Sequence, residues 1–85
     1  MEKSIFSAEY QVVVDLLRKQ REEAGLTQMQ VADALEASQS FVSKYERGER
    51  VLDVIQLREI CRILGTNLPA FVRQLERTLS RRSKK

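Results

Sequence analysis

The sequence has no histidine and no tryptophan, one cysteine (Cys61), one proline (Pro69) and three glycines. Each shortage removes a class of chemistry. Without histidine there is no Ser–His or Cys–His nucleophile pair, and the commonest general base is missing. One cysteine and no histidine cannot build a structural zinc site. No glycine-rich phosphate loop is present. These absences give no enzyme, no cofactor and no metal to expect. Cys61 alone cannot form an intramolecular disulfide, so cysteine usage gives no sign of an oxidising compartment. It falls at an apolar helical position, where a thiol serves as a small core side chain. With so little Pro and Gly, strands joined by tight hairpins are disfavoured and long helices favoured. No apolar run approaches a membrane span, and the N-terminus lacks the basic-then-apolar order of a signal peptide. A cytoplasmic protein that does not use the membrane is expected.

A chain of 85 residues, 42% apolar and 32% charged, suits one soluble globular domain with a modest core. Net charge is +3 but unevenly placed. Residues 73–85 carry Arg73, Arg77, Arg81, Arg82, Lys84 and Lys85 against Glu76 alone, a net +5. Residues 1–72 carry nine basic and eleven acidic side chains, a net −2. The basic end suits a polyanion such as nucleic acid, and equally a solvated terminus. We divide the chain into a domain over 1–80 and a basic tail over 81–85.

The glycines fall where helices should stop. Gly25, Gly48 and Gly65 each follow a helix-favouring stretch, the usual place of a left-handed C-cap. Ser7, Thr27, Ser38, Asp53 and Asn67 each precede an apolar-periodic stretch and can cap a first turn. These marks predict five helices, over Ala8–Ala24, Gln28–Leu35, Gln39–Arg47, Val54–Leu64 and Leu68–Ser80. The run Val12-Val13-Val14 favours a strand in isolation, but it lies inside the first helical pattern. Apolar stripes recur at three and four residues: Val31, Ala32, Leu35; Val54, Leu57, Ile60, Cys61, Leu64; and Leu68, Phe71, Val72, Leu75, Leu79. The third helix offers the core only Val42 and Tyr45. Its other face is hydrogen-bonding, as a groove-reading helix requires.

Leu26-Thr27-Gln28, Val31-Ala32, Leu35, Ser38-Gln39-Ser40, Val42-Ser43 and Tyr45-Glu46-Arg47-Gly48-Glu49-Arg50 together resemble the helix-turn-helix of the Cro and phage-repressor (XRE) family. The resemblance runs on through Asp53, Leu57, Ile60, Leu64 and Gly65, covering roughly Val13 to Leu75. It implies an all-α, compact, five-helix, lambda-repressor-like DNA-binding domain, with helices 2 and 3 forming the motif. It also implies that helix 3 enters the major groove of double-stranded DNA. Gln39 and Ser40 then lead base reading, with Ser43 and Lys44 behind them. The chemistry agrees, since Gln suits adenine, Ser several edges and Lys guanine. Ser38 caps the helix beside these readers. The resemblance further implies that Gln28 contacts phosphate and braces Gln39, and that Arg47 and Arg50 contact phosphate, fixing register without reading sequence. It also implies that Arg21 and Glu46 form a structural ion pair joining helices 1 and 3.

The sequence departs from the family pattern in places. Glu36 stands where a Gly is usual in the helix 2–3 turn, and a left-handed Glu costs about 1–2 kcal/mol. Gln20 replaces an apolar residue, and Val51-Leu52 a polar-then-Pro approach. The motif from Thr27 to Gly48 carries Lys44 and Arg47 against Asp33, Glu36 and Glu46, a net −1. A homodimer is expected through Ile55, Ile63, Phe71, Leu75 and Leu79, with Val12, Leu16, Ile5 and Phe6 as a second possible patch. These residues could equally close the monomer core. The resemblance thus gives a stand-alone transcriptional regulator, either repressor or controller. The alternative is an antitoxin of the same fold whose protein partner is a toxin.

Overall fold

The computed structural model describes residues 7–83. Within them the chain forms α1 (Ala8–Glu23), α2 (Gln28–Leu35), α3 (Gln39–Glu46), α4 (Val54–Ile63) and α5 (Leu68–Ser83). No strand occurs among the described residues, and none of their helices is long and apolar enough to cross a membrane.

All five expected caps form. Ser7, Thr27 and Ser38 hydroxyls accept from the backbone N–H of Tyr10, Gln30 and Phe41 at 2.9, 3.1 and 3.1 Å. Asp53 and Asn67 accept from Gln56 and Ala70 at 2.7 and 2.9 Å. Gln30 and Gln56 reach back to the backbone N–H of Thr27 and Asp53, completing reciprocal capping boxes. These bonds satisfy N–H groups that a helix start otherwise leaves unpaired.

Four helix ends close alike. After α1, α2, α3 and α4 one residue turns left-handed, and the next N–H donates to the carbonyl five residues back. The four bonds are Leu26 to Arg21, Ala37 to Ala32, Glu49 to Lys44 and Thr66 to Cys61, at 2.9–3.1 Å. Three of the turning residues are glycines; the fourth is Glu36, at φ 58 and ψ 42. The strain expected of Glu36 is therefore present. It sets the turn between α2 and α3.

Helix α1 packs on α3 and α5, α2 on α3 and α4, and α4 on α5. Leu17, Val31, Val42, Tyr45, Ile60, Cys61 and Phe71 fill the centre. Fully burying a large apolar side chain contributes roughly 1.5–3 kcal/mol, and that gain holds the Val12-Val13-Val14 run in α1 against its strand preference. Desolvation pushes the Cys61 thiol up to about 11. It is a core residue, as its position predicts.

Several assignments change. Phe71 is fully buried in the monomer, so it closes the core and presents nothing to a second subunit. Val12 and Leu16 are buried too, which removes them from the second patch. Ile5 and Phe6 lie outside the described residues, as do Lys84 and Lys85. Val54 and Val72, read as stripe residues, are exposed. Val54 opens α4 ahead of the core, and Val72 lies about 100° round α5 from Phe71. Ile63, expected at the dimer surface, is half-buried against the core. Gln20 uses its polarity between helices: its Nε2 donates to Gln74 Oε1 on α5 at 2.7 Å.

Candidate nucleic-acid interface

The motif is built outward from α3. Three charged or polar residues from three elements meet at its C-terminal end. Arg21 of α1 donates through Nε to Glu46 Oε2 at 2.7 Å and through Nη2 to Glu46 Oε1 at 3.0 Å. Its Nη1 donates to the Leu26 carbonyl at 2.9 Å, so the same guanidinium also fixes the entry to α2. The two side chains are 12% and 4% exposed. The bond to Glu46, more than any other cause, raises the Arg21 pKa. Arg21 therefore stays charged at every physiological pH. The ion pair that the resemblance implies for Arg21 and Glu46 is present, and it ties α1 to the far end of α3.

Glu46 accepts a third hydrogen bond, from Gln28 Nε2 at 2.9 Å. A carboxylate can only accept, so this bond fixes which way the Gln28 amide faces. The Gln28 Oε1 then points outward and accepts from Gln39 Nε2 at 3.4 Å. A relay runs from the buried ion pair through Gln28 to the exposed first residue of α3. The bracing of Gln39 by Gln28, expected from the resemblance, is a hydrogen bond in the structure.

Around the relay, Ser38, Gln39, Ser40 and Lys44 are exposed and Ser43 is half-buried. Gln39 and Ser43 are four residues apart and share one face of α3, with Ser40 and Lys44 on the strip beside it. Ser38 has its hydroxyl committed to the cap. The four expected base readers, Gln39, Ser40, Ser43 and Lys44, thus lie together along one outer face of α3, with the capping Ser38 beside them.

The two arginines expected at phosphates are held differently. The Arg50 guanidinium lies 5.0 Å from the centre of the Phe41 ring, a cation–π contact. Phe41 in turn meets Tyr45 edge-on, with ring centres 5.6 Å apart. Tyr10 anchors the same loop from α1. Its hydroxyl donates to the Arg50 carbonyl at 3.0 Å and accepts from the Leu52 N–H at 3.1 Å. Burial raises the Tyr10 pKa. Arg47, by contrast, is bound within the protein, to Glu49 through two bonds of 3.0 and 3.1 Å and to the Ser43 hydroxyl. Sequence reasoning assigned no role to Tyr10, Phe41 or Glu49. Tyr10 is 40 residues from its partner and carries no local signal. Glu49, two residues past an arginine at a glycine turn, did carry one.

Residues 13–75 match the family model of the helix-turn-helix domain. A search of curated proteins returns no match. Among solved structures, the chain is similar to an XRE-family like protein from Pseudomonas syringae pv. tomato str. DC3000. They share 45% identity over 91% of this chain and 94% of that one, with a TM-score of 0.81. It is also similar to a variant of the restriction-modification controller protein C.Esp1396I, at 27% identity over 86% and 92% of the two chains and a TM-score of 0.78. The clp gene regulator ClgR from Corynebacterium glutamicum shares the fold, at 20% identity over 92% and 83% and a TM-score of 0.79. The length of these matches, taken with the α2–α3 geometry, places the chain in the XRE family of helix-turn-helix DNA-binding regulators.

Proposed function

We propose that this regulator reads operator half-sites sequence-specifically, with α3 in the major groove and Gln39 and Ser40 leading the readout. The observation that carries this reading is the relay Arg21–Glu46–Gln28–Gln39. A glutamine on a free helix surface samples many rotamers; here a buried ion pair orients it from behind. With its Nε2 toward Gln28, Gln39 keeps its Oε1 and one N–H for a base. Those two groups match the N6 donor and N7 acceptor of adenine. Ser40, Ser43 and Lys44 extend the reading along the same strip. Gln28 and the α2 start favour a phosphate. Arg50, held over Phe41, supplies a phosphate contact, and Arg47 a second. The exposed arginines of α5 (Arg73, Arg77, Arg81 and Arg82) add long-range attraction that the net-negative motif lacks.

The same reading includes a homodimer in the cytoplasm. One short motif reads few base pairs, and paired motifs read half-sites about one helical turn, roughly 34 Å, apart. Ile55 on α4 is 68% exposed, more than any other large apolar side chain described. With the parts of Ile63, Leu75 and Leu79 that their packing on the core leaves exposed, it offers the partner surface.

The test is selection of bound duplexes from random DNA, followed by titration of variants. Gln39→Ala is expected to weaken the selected site by roughly 1–3 kcal/mol and to relax one position. Arg50→Ala is expected to weaken all sequences alike and to flatten the salt dependence by about one unit of slope. Equal binding of all duplexes by wild type and Gln39→Ala would refute the readout. A monomer in sedimentation at high micromolar concentration would refute the dimer.

A further inference from the structure

We propose that Glu49 is an internal stand-in for a DNA phosphate: it occupies the Arg47 guanidinium in the free protein and gives it up on DNA. This inference rests on the DNA-reading assignment of α3. Arg47 caps α3 one turn beyond Ser43, on the side that carries Gln39 and Ser43. Its Nε and Nη2 donate to the two oxygens of Glu49 at 3.0 and 3.1 Å. This side-on, two-bond grip is the one a guanidinium uses for phosphate. The third nitrogen, Nη1, donates to the Ser43 hydroxyl. Each nitrogen of the guanidinium therefore donates once within the protein, and its side-on edge is taken by Glu49.

The backbone imposes the pairing. Gly48 turns at φ 78, and the Glu49 N–H donates to the Lys44 carbonyl at 2.9 Å. That turn returns Glu49 to within reach of the residue two before it. Both side chains remain about half exposed, at 53% and 55%, so the grip is open to competition by solvent anions. The Arg47 bond holds the Glu49 carboxyl below its ordinary pKa. The carboxylate therefore remains a competitor throughout the neutral range.

The consequence is an exchange. A phosphate that takes Arg47 by this two-bond, side-on edge must displace Glu49. Binding through Arg47 then gains one contact and loses another, and the salt dependence of DNA binding is shallower than a count of cations gives. When Arg47 turns to a phosphate it also releases the Ser43 hydroxyl, which becomes available to a base edge. Glu49 thus sets how tightly any duplex is held, whereas Gln39 sets which duplex is preferred.

A double-mutant cycle tests this, with a duplex selected by the wild-type protein and an unselected duplex of equal length. Glu49→Gln is expected to tighten binding to both about three- to tenfold and to steepen the salt slope by about one. In an Arg47→Ala background the same substitution is expected to change affinity less than twofold, because no guanidinium is left to release. Equal tightening in both backgrounds would mean that Glu49 merely repels the backbone, and would overturn the exchange. An unchanged affinity for Glu49→Gln beside normal wild-type binding would overturn it too. If wild type bound neither duplex, the DNA-reading assignment would fall first, a distinguishable outcome.

Discussion

Helix α3 ends in two arginine–glutamate pairs whose chemistry matches and whose surroundings do not. Arg21–Glu46 is 12% and 4% exposed and joins two helices; Arg47–Glu49 is 53% and 55% exposed and joins neighbours across a turn. Both are two-bond contacts with similar distances. What separates them is water. In the first pair each charge has lost its hydration and depends on its partner. In the second each charge can return to solvent at little cost, or change partner. On the proposed readout, the dry pair orients Gln39 and the wet pair stays free to exchange. Distance alone would have ranked them together; burial assigns them opposite tasks.

The largest expected effect comes from breaking the dry pair. Glu46→Ala leaves Arg21 charged and enclosed and removes the acceptor that orients Gln28. Breaking such a pair costs about 3–5 kcal/mol, read as a lower urea midpoint at unchanged slope. Replacing Arg21 and Glu46 together by leucine is expected to cost less than Glu46→Ala alone, since no charge is then stranded. If the double variant lost as much as both single losses summed, the pair would be acting through independent contacts and the contrast with Arg47–Glu49 would collapse.

A smaller effect distinguishes helix ends that share one geometry. Glu36 holds the left-handed position that Gly25, Gly48 and Gly65 hold elsewhere. Glu36→Gly is expected to stabilise by about 1–2 kcal/mol in the same melts, through relief of the Cβ clash. Gly48→Ala moves the other way: φ is 78, and the new Cβ would sit 3.0 Å from Gln11 Oε1. A neutral Glu36→Gly would mean that the turn gains something from the carboxylate.

These residues also show why parts of the molecule were legible in advance. Caps and stops act over four or five residues, so the five helices follow from local chemistry, whereas the strain at Glu36 was legible only from the family pattern, which usually has Gly there. The candidate site was legible to the extent that one family pattern carries it, since Gln28, Gln39, Arg21 and Glu46 occupy fixed places in that pattern. Phe71 was misassigned because periodicity gives the face of a helix but not what covers it. The stripe of α5 is wide enough for a core and a partner, and only packing showed that Phe71 is enclosed. Tyr10 was missed for a related reason. Its hydroxyl bridges Arg50 and Leu52 across 40 residues, and no spacing rule reaches that far. The Arg47–Glu49 grip depends on the turn at Gly48, whose direction is a backbone property that composition does not reveal.

The surroundings of the two pairs should also respond to pH from opposite sides. Tyr45, next to Glu46, is buried, and desolvation first and the Glu46 charge second raise its pKa well above 10. The folded state keeps that proton while the unfolded chain gives it up near pH 10. The folded state then binds more protons, so stability falls as pH rises past about 10. Cys61, raised to about 11, starts the same loss from about pH 8.5, the ordinary thiol value. Urea midpoints that held constant from neutrality to pH 10.5 would contradict the burial of both groups.

The smallest effect belongs to the wet pair. Arg47 holds the Glu49 carboxyl below its ordinary value. The pair's contribution is therefore complete above the unfolded carboxylate pKa and is lost as pH falls through the lower, folded value. Both side chains are half solvated, so Glu49→Gln is expected to leave the urea midpoint at neutral pH within experimental error. That silence is informative, because the same substitution is expected to change DNA affinity severalfold. A residue that alters binding without altering stability acts on the exchange with DNA; one that alters both, as Glu46 should, acts through the frame. A clear drop in the midpoint for Glu49→Gln would place the second pair in the frame as well, and burial would no longer separate the two.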